Sequence, residues 1–202
     1  MIHENFVIIG SLIAFLGSIG YLIETIKGTV KPNRVSFFMW SLAPLVAFFA
    51  QMKEGVGIQS LQTLTMGLLP LSIFFASFFN KKSEWKLTAF DFICGLLSLF
   101  GFIIYLVTQV GFAALLFSII ADGLASLPTI RKAFWYPETE VWYSYFASTI
   151  SAGLTLLTLK SWNFMNSAFS LYIFIVCSVL FLLIRFQLGK QMVKILKIEA
   201  RI

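Results

Sequence analysis

The chain has 202 residues, of which 59% are hydrophobic and only 12% are charged, and its formal net charge is +6. Soluble domains carry roughly 25% charged residues, so the composition excludes an ordinary soluble domain. It predicts an all-α integral membrane protein in which most residues face lipid or other lipid-facing helices.

Blocks without Asp, Glu, Lys or Arg divide the chain into segments of helix length. A block of about 18 or more such residues is long enough to cross a bilayer core of roughly 30 Å. We predict membrane helices over residues 6–23, 35–52, 60–79, 141–159 and 164–184.

The uncharged run over residues 92–121 is too long for one crossing, because a helix of that length would extend about 45 Å. Its polar, glycine-bearing point is Thr108-Gln109-Val110-Gly111, where we predict a turn between the fourth helix and a fifth that ends near Lys132. The total is then seven membrane helices. Residues 185–202 are typical of an amphipathic, basic helix at the membrane surface.

The basic residues predict the orientation, because Lys and Arg are retained on the cytoplasmic side. With the N-terminus outside, only Lys53 and Lys160 of the 15 basic residues fall on the outer side. The inner side then holds Lys27, Lys31, Arg34, Lys81, Lys82, Lys86, Arg131, Lys132, Arg185, Lys190, Lys194, Lys197 and Arg201.

This distribution makes the positive charge a topology signal and argues against a nucleic-acid partner. The first helix has no basic segment before it and no small-residue cleavage site, so we expect it to be retained. The sequence therefore predicts a multi-pass protein of the plasma membrane with an outer N-terminus and a cytoplasmic C-terminus.

An internal repeat is the strongest architectural signal. Thr25-Ile26-Lys27 recurs as Thr129-Ile130-Arg131 at a shift of 104 positions, and a basic turn, a proline and an aromatic cluster follow each copy. One inserted residue then aligns Trp40 with Tyr145. The repeat predicts two parallel three-helix units, residues 1–80 and 110–187, joined by a linker helix in 81–109 and followed by a basic cytoplasmic tail, 188–202.

The segment Leu127-Pro128-Thr129-Ile130-Arg131-Lys132 resembles the PQ-loop motif, in which a helix ends in Pro-Gln before a basic turn and a second helix. The arrangement of the whole chain is similar to that of the PQ-loop superfamily, which includes the SWEET and SemiSWEET sugar transporters and, more distantly, the PnuC-like transporters. The resemblance implies parallel repeats around a central pathway and proline-containing helices that bend as the pathway opens to alternate sides.

Asp122 is the leading candidate for a site residue, because an ionised carboxylate near the middle of a membrane helix costs several kcal/mol unless it faces water or a partner. It could bind a cationic or hydroxyl-rich solute, or take up a proton. The structural alternatives are a protonated side chain hydrogen-bonded to a neighbouring helix, or a pair with a long basic side chain. For Glu24 and Asp91 we predict interfacial pairing with bases such as Lys27 and Lys86.

Aromatic rings offer a face on which a sugar or a cation can stack. Trp40 and Tyr145 are candidates for this role, with the interfacial aromatic belt as the alternative, whereas we assign Trp142 and Tyr143 to the belt. Asn166, near the outer end of the last helix, could face solute or solvent.

Prolines inside membrane spans remove backbone hydrogen bonds and permit kinks. Pro44, Pro70 and Pro128 have such positions, and we take Pro44 and Pro128 as candidate hinges. We expect Gly10, Gly17 and Gly20 on the first helix to allow close helix packing.

Enzyme classes find little support. The single histidine, His3, lies at the N-terminal edge, Asp91 and Asp122 lie at different membrane depths, and the last helix has no lysine for a retinal Schiff base. Cys94 and Cys177 fall in apolar spans, so neither a disulfide, a metal nor another cofactor is implied.

We therefore predict a transporter for a small solute, a sugar or another small polar metabolite, that works by alternating access. The alternative is a non-transporting seven-helix receptor or assembly module of the same fold. The expected partners are the lipid bilayer and the solute, and a homo-oligomer is compatible with this pattern.

Overall fold

The computed structural model describes residues 2–83, 85–108 and 111–196. These residues form eight α-helices and two short 3-10 turns, Lys81–Ser83 and Pro137–Thr139. The helices are α1 (Phe6–Lys27), α2 (Arg34–Lys53), α3 (Ser60–Ala76), α4 (Ala89–Thr108), α5 (Gly111–Trp135), α6 (Trp142–Thr158), α7 (Phe164–Arg185) and α8 (Leu188–Leu196).

Helices α1 to α7 agree with the seven predicted segments to within a few residues. Two of the predicted turn residues, Gln109 and Val110, lie outside the described residues. Helix α5 continues past Lys132 to Trp135. The Lys132 side chain is buried and paired with Glu140, so this basic residue does not mark the end of the helix. Helix α3 ends at Ala76, and the Arg34 guanidinium donates to the carbonyl oxygen of Ser77 at 2.8 Å, which satisfies one free carbonyl of that helix end.

Three of the helices, α1, α2 and α7, are long and apolar enough to span a membrane. Helix α3 and the Ala89–Phe100 part of α4 are apolar but shorter. Large apolar side chains such as Leu12, Leu16, Leu96 and Phe100 are exposed on the outside of the bundle. Continuous apolar surface of this kind is rare on soluble monomers, and its presence agrees with an all-α membrane protein.

The helices pack as two similar groups. Helix α3 packs against both α1 and α2, and α7 packs against both α5 and α6. We call α1, α2 and α3 the first triad and α5, α6 and α7 the second triad. Helix α1 packs against α6, and α2 packs against α5, so the contacts between the triads are also reciprocal. Helix α4 packs mainly against α5.

The contact between α1 and α6 depends on glycine. A Cβ atom added at Gly17 would lie 2.6 Å from Cβ of Ala147, and one added at Gly10 would lie 3.1 Å from Cα of Ser151. Neither distance leaves room for a side chain without a shift of the helices. The small residues therefore permit the close approach that the sequence predicts for α1.

The basic loops meet at one end of the bundle, which we call the basic end. There the amide of Lys31 donates to the carbonyl of Thr139 at 3.1 Å, and the Asn80 side chain donates to the carbonyl of Ile26 at 2.9 Å. At the opposite end, Lys160 Nζ lies 3.1 Å from Glu4 Oε2. The α1–α2, α3–α4 and α5–α6 loops thus lie at one end, and the α6–α7 loop and the segment before α1 lie at the other, which agrees with the alternation predicted for these loops.

Helix α8 lies against the basic end, where it packs on α5. Lys190 Nζ donates to Glu138 Oε2 at 2.7 Å. Partial burial by itself would raise the pKa of the Glu138 carboxyl, but the hydrogen bond and the charge of Lys190 lower this pKa below its ordinary value.

Candidate functional site

A cavity lies at the centre of the bundle, between the two triads. Its volume, measured as the space that the centre of a water-sized sphere can occupy, is about 70 Å³. That is room for several water molecules. Each helix of both triads contributes to its wall, whereas none of the α4 side chains that the structure describes does. Its residues are Ser18, Tyr21, Phe37, Trp40, Pro44, Met66, Leu69, Pro70, Ile73, Asp122, Ser144, Tyr145, Ser148, Ile173, Val176, Cys177 and Leu180.

Asp122 stands on this wall, near the middle of α5, and its residue surface is only 2% exposed. Its Oδ2 atom accepts a hydrogen bond of 2.5 Å from the Tyr172 hydroxyl on α7. Its Oδ1 atom is buried and has no hydrogen-bond partner among the described residues. A buried carboxylate oxygen without a donor costs free energy, so this atom is ready to accept a hydrogen bond or to bind a cation.

A row of four aromatic rings forms another part of the wall. The ring centroids of Trp40 and Phe37 are 5.2 Å apart, those of Phe37 and Tyr21 are also 5.2 Å apart, and those of Tyr21 and Tyr145 are 6.4 Å apart. All four side chains are buried. Since α2, α1 and α6 supply these rings, the row crosses from the first triad to the second.

The cavity is bounded towards the basic end by a buried polar cluster, which we call the Glu140 cluster. Glu140 Oε1 lies 2.7 Å from Lys132 Nζ, and Glu140 Oε2 accepts hydrogen bonds from the hydroxyls of Tyr21 at 2.7 Å and Tyr145 at 3.0 Å. Lys132 also donates to the carbonyl of Lys31 and lies 4.9 Å from the ring centroid of Trp85. The cluster thus connects α1 and the α1–α2 loop to α5 and α6.

Four of the six predicted site residues meet at the cavity: Asp122, Trp40, Tyr145 and Pro44. Asn166 lies apart from the cavity, in the first turn of α7, where its side chain donates to Ser161 Oγ at 3.0 Å. Pro128 is buried within α5 but is not part of the cavity wall, whereas Pro70 is.

Several residues of the site were not among the candidates. Ser18 lines the cavity with Asp122 and precedes it by the same 104 positions that separate the two repeat copies, so the repeat carried the signal for it. Cys177 also lines the cavity. The sequence did not indicate a role in the site for Tyr172 or Glu140, because their roles depend on which helices pack together.

The two carboxylates assigned to interfacial pairs behave differently. Glu24 forms the predicted pair with Lys27, at 3.2 Å. Asp91 instead accepts a hydrogen bond of 2.7 Å from Asn33 and further bonds from the amide and hydroxyl of Thr88. Asp91 is the third residue of α4, and its Oδ2 atom accepts the free amide of Thr88 at the helix start. None of the hydrogen bonds described for Asp91 comes from a lysine, so pairing with a base stays a prediction for this residue.

Comparison with known protein families, with curated proteins and with solved structures gives no match.

Proposed function

We propose that this chain is a transporter that carries a small solute across the membrane by alternating access between the two triads. The observation that carries the proposal is the cavity, which six helices line and whose wall includes Asp122, a buried carboxylate with one oxygen that has no donor among the described residues. Ligand sites in proteins are concave and mostly apolar, with a few convergent polar groups, and transporters place them near the bilayer midplane between repeats. Asp122, Trp40 and Tyr145 are the proposed solute contacts.

The packing supports an arrangement of three spans, one linker span and three further spans. The two triads have the same internal contacts and reciprocal mutual contacts, and α4 lies outside the cavity wall. Ser18 and Asp122, related by the repeat shift, line the same cavity. A pseudo-twofold relation between the triads accounts for these features together.

The charge distribution supports a plasma-membrane protein with its basic end in the cytoplasm. Among the described residues, the loops, the adjoining helix ends and α8 at that end carry 11 Lys and Arg residues, against Lys53 and Lys160 at the other end, and cytoplasmic loops are enriched in Lys and Arg. The N-terminus and the loop that contains Lys160 then face the outside.

Polar contacts link the two triads on both sides of the cavity. At the cytoplasmic end, the Tyr21 hydroxyl of the first triad binds Glu140 of the second. At the outer end, Ser170 of α7 donates to Gln62 Oε1 of α3 at 2.8 Å. Alternating access requires each of these contacts to break in turn. Pro44 and Pro70 on the cavity wall are the proposed bending points, with Pro128 beneath them in α5.

The two native cysteines provide the test. Cys177 lines the cavity, and Cys94 is buried on α4 outside it. In liposomes with one orientation of the protein, the Cys94→Ala variant should react with a membrane-impermeant trimethylammonium methanethiosulfonate whether the reagent is added inside or outside. The Cys177→Ala variant, which keeps only Cys94, should react from neither side.

Modification of Cys177 from both sides is the result expected of a pathway that opens to each side in turn. A receptor or assembly module of the same fold, the alternative function, would expose the cavity to one side at most. Reaction from one side only, or from neither, in folded protein would therefore refute transport by alternating access.

A further inference from the structure

We infer that the solute is a small organic cation with an apolar body. This inference rests on the transport function proposed above and specifies the substrate class of the same cavity. It depends on three properties of the wall: its charge, its aromatic row and its small number of available hydrogen-bonding groups.

The charge of the wall favours a cation. Among the described lining residues, Asp122 is the only one with an ionisable carboxylate, and none is Lys, Arg or His. Lys132 cannot serve as a counter-charge there, because its Nζ atom is bound to Glu140 and to the carbonyl of Lys31. A solute with one positive charge would supply what the Oδ1 atom of Asp122 lacks, whereas an anion would be repelled at short range.

The aromatic row favours the same class. Trp40, Phe37, Tyr21 and Tyr145 form an unbroken series of rings on the cavity wall. Faces of aromatic rings attract ammonium groups, by roughly 2 kcal/mol or more where water is excluded, and tryptophan is the strongest of them. A cavity wall that combines such rings with one carboxylate is typical of sites for substituted ammonium ions.

The polar groups that remain are too few for a sugar. The hydroxyls of Tyr21 and Tyr145 both donate to Glu140. The polar side-chain groups that remain on the wall are the Asp122 carboxylate, the indole N–H of Trp40, the weakly polar thiol of Cys177 and the hydroxyls of Ser18, Ser144 and Ser148. A sugar would lose the hydration of many hydroxyl groups without replacement partners. A zwitterionic amino acid would find a partner for its ammonium group but no cation for its carboxylate. The rest of the wall is apolar and fits an apolar body.

The experiment uses Cys177 as a reporter in the Cys94→Ala protein in liposomes. The rate of its modification is measured with increasing benzyltrimethylammonium, a permanent cation, and with benzyl alcohol, benzenesulfonate and glucose. We expect benzyltrimethylammonium to protect Cys177 in a saturable manner and the neutral and anionic compounds to leave the rate unchanged. Saturable counterflow of labelled benzyltrimethylammonium should accompany the protection.

Two sets of variants test the residues. With Asp122→Asn, half-maximal protection should require at least about tenfold more cation, since the counter-charge is lost. Trp40→Leu should also weaken protection, whereas Trp40→Phe, which keeps an aromatic face, should retain most of it. The Trp40 pair decides the matter even if Asp122→Asn does not fold.

The outcomes separate this inference from the transport function. If Cys177 reacts from both sides but glucose or benzyl alcohol protects it as well as the cation does, the substrate class is wrong and transport stands. Unchanged protection by the cation in folded Asp122→Asn would also overturn the inference. If Cys177 does not react from both sides, the transport function itself fails.

Discussion

Lys132 and Glu140 form an ion pair whose side chains are 1% and 0% exposed. Removal of one partner of such a pair leaves the other charge buried without compensation, which typically costs 3–5 kcal/mol. We therefore expect Lys132→Met to lower the free energy of unfolding by about 3–5 kcal/mol. The measurement is the unfolding of the purified protein in detergent micelles, followed by near-UV circular dichroism.

A double variant provides the control for this prediction. Lys132→Met combined with Glu140→Gln removes both charges, and the amide oxygen at position 140 can still accept from Tyr21 and Tyr145, so the double variant should be more stable than Lys132→Met alone. The exposed pair of Lys160 and Glu4, 74% and 44% exposed, should matter little, and Lys160→Ala should change stability by less than about 1 kcal/mol. Equal losses in the single and double variants would contradict the assignment.

Part of this site could be predicted from the sequence because some residue types are unusual where they stand. A carboxylate in the middle of an apolar helix identifies Asp122, and the aligned aromatic positions identify Trp40 and Tyr145. Glu140 stands directly before an apolar run. The sequence gives its position along the chain but does not show how deeply its side chain is buried in the protein. Its burial depends on the α5–α6 turn folding inward against Lys31, which is a tertiary contact. Asn166 was assigned to the site because helix phase was unknown.

At the scale of helices, the contact between α1 and α6 is the one most sensitive to a single methyl group. A Cβ atom at position 17 would approach Cβ of Ala147 to 2.6 Å, so Gly17→Ala must separate the two helices or shift one of them. We expect Gly17→Ala to lower the melting temperature of the protein in micelles, although alanine is the better helix former.

A reciprocal exchange tests the same contact. Gly17→Ala combined with Ala147→Gly moves the methyl group from one helix to the other and should recover most of the melting temperature. Gly153→Ala is the matched control on α6, because a Cβ atom there would meet Phe174 at an ordinary distance of 3.4 Å. If the double variant is as unstable as Gly17→Ala, helix separation is not the cause.

The position of α8 depends on another glycine. A Cβ atom added at Gly189 would collide with the backbone carbonyl of Phe134 at the end of α5, and a backbone group cannot turn aside as a side chain can. We expect Gly189→Ala to displace α8 and to increase tryptic cleavage at Lys190 and Lys194. Gly57→Ala, in a loop with more space, should leave the cleavage rate unchanged.

The ion pair between Lys190 and Glu138 gives the docking of α8 a pH dependence. Because the pKa of Glu138 is lower in the folded protein, its contribution is present above the ordinary pKa of a glutamate and is lost as pH falls through the lowered value. Cleavage at Lys194 by an acid-tolerant lysine-specific protease should therefore rise only in that acidic range. Glu138→Gln should remove the pH dependence, and high salt should reduce it, because the pair is half-exposed.

At the scale of the whole molecule, the sequence predicted the helices well and their packing only in part. Apolar block length and the charged segments between blocks determine where each helix begins and ends, and these are local properties. The repeat implied two equivalent units. The order of the helices along the sequence could not show that α3 packs against both α1 and α2, or that α1 packs against α6. This packing depends on how the surfaces of two helices fit together, as at Gly17 and Ala147, and neither segment alone contains that information.

The orientation of the bundle is the remaining prediction for the whole molecule. In a background with Cys94→Ala and Cys177→Ala, we expect Ser161→Cys, in the exposed α6–α7 loop, to react with an impermeant maleimide added to intact cells. Lys86→Cys, exposed at the basic end, should react only after the membrane is opened. The physical reason is the retention of 13 basic residues on one side. The reverse pattern would place the basic end, and with it the Glu140 cluster, on the outer side of the membrane. Equal labelling of both positions in intact cells would contradict a single fixed orientation.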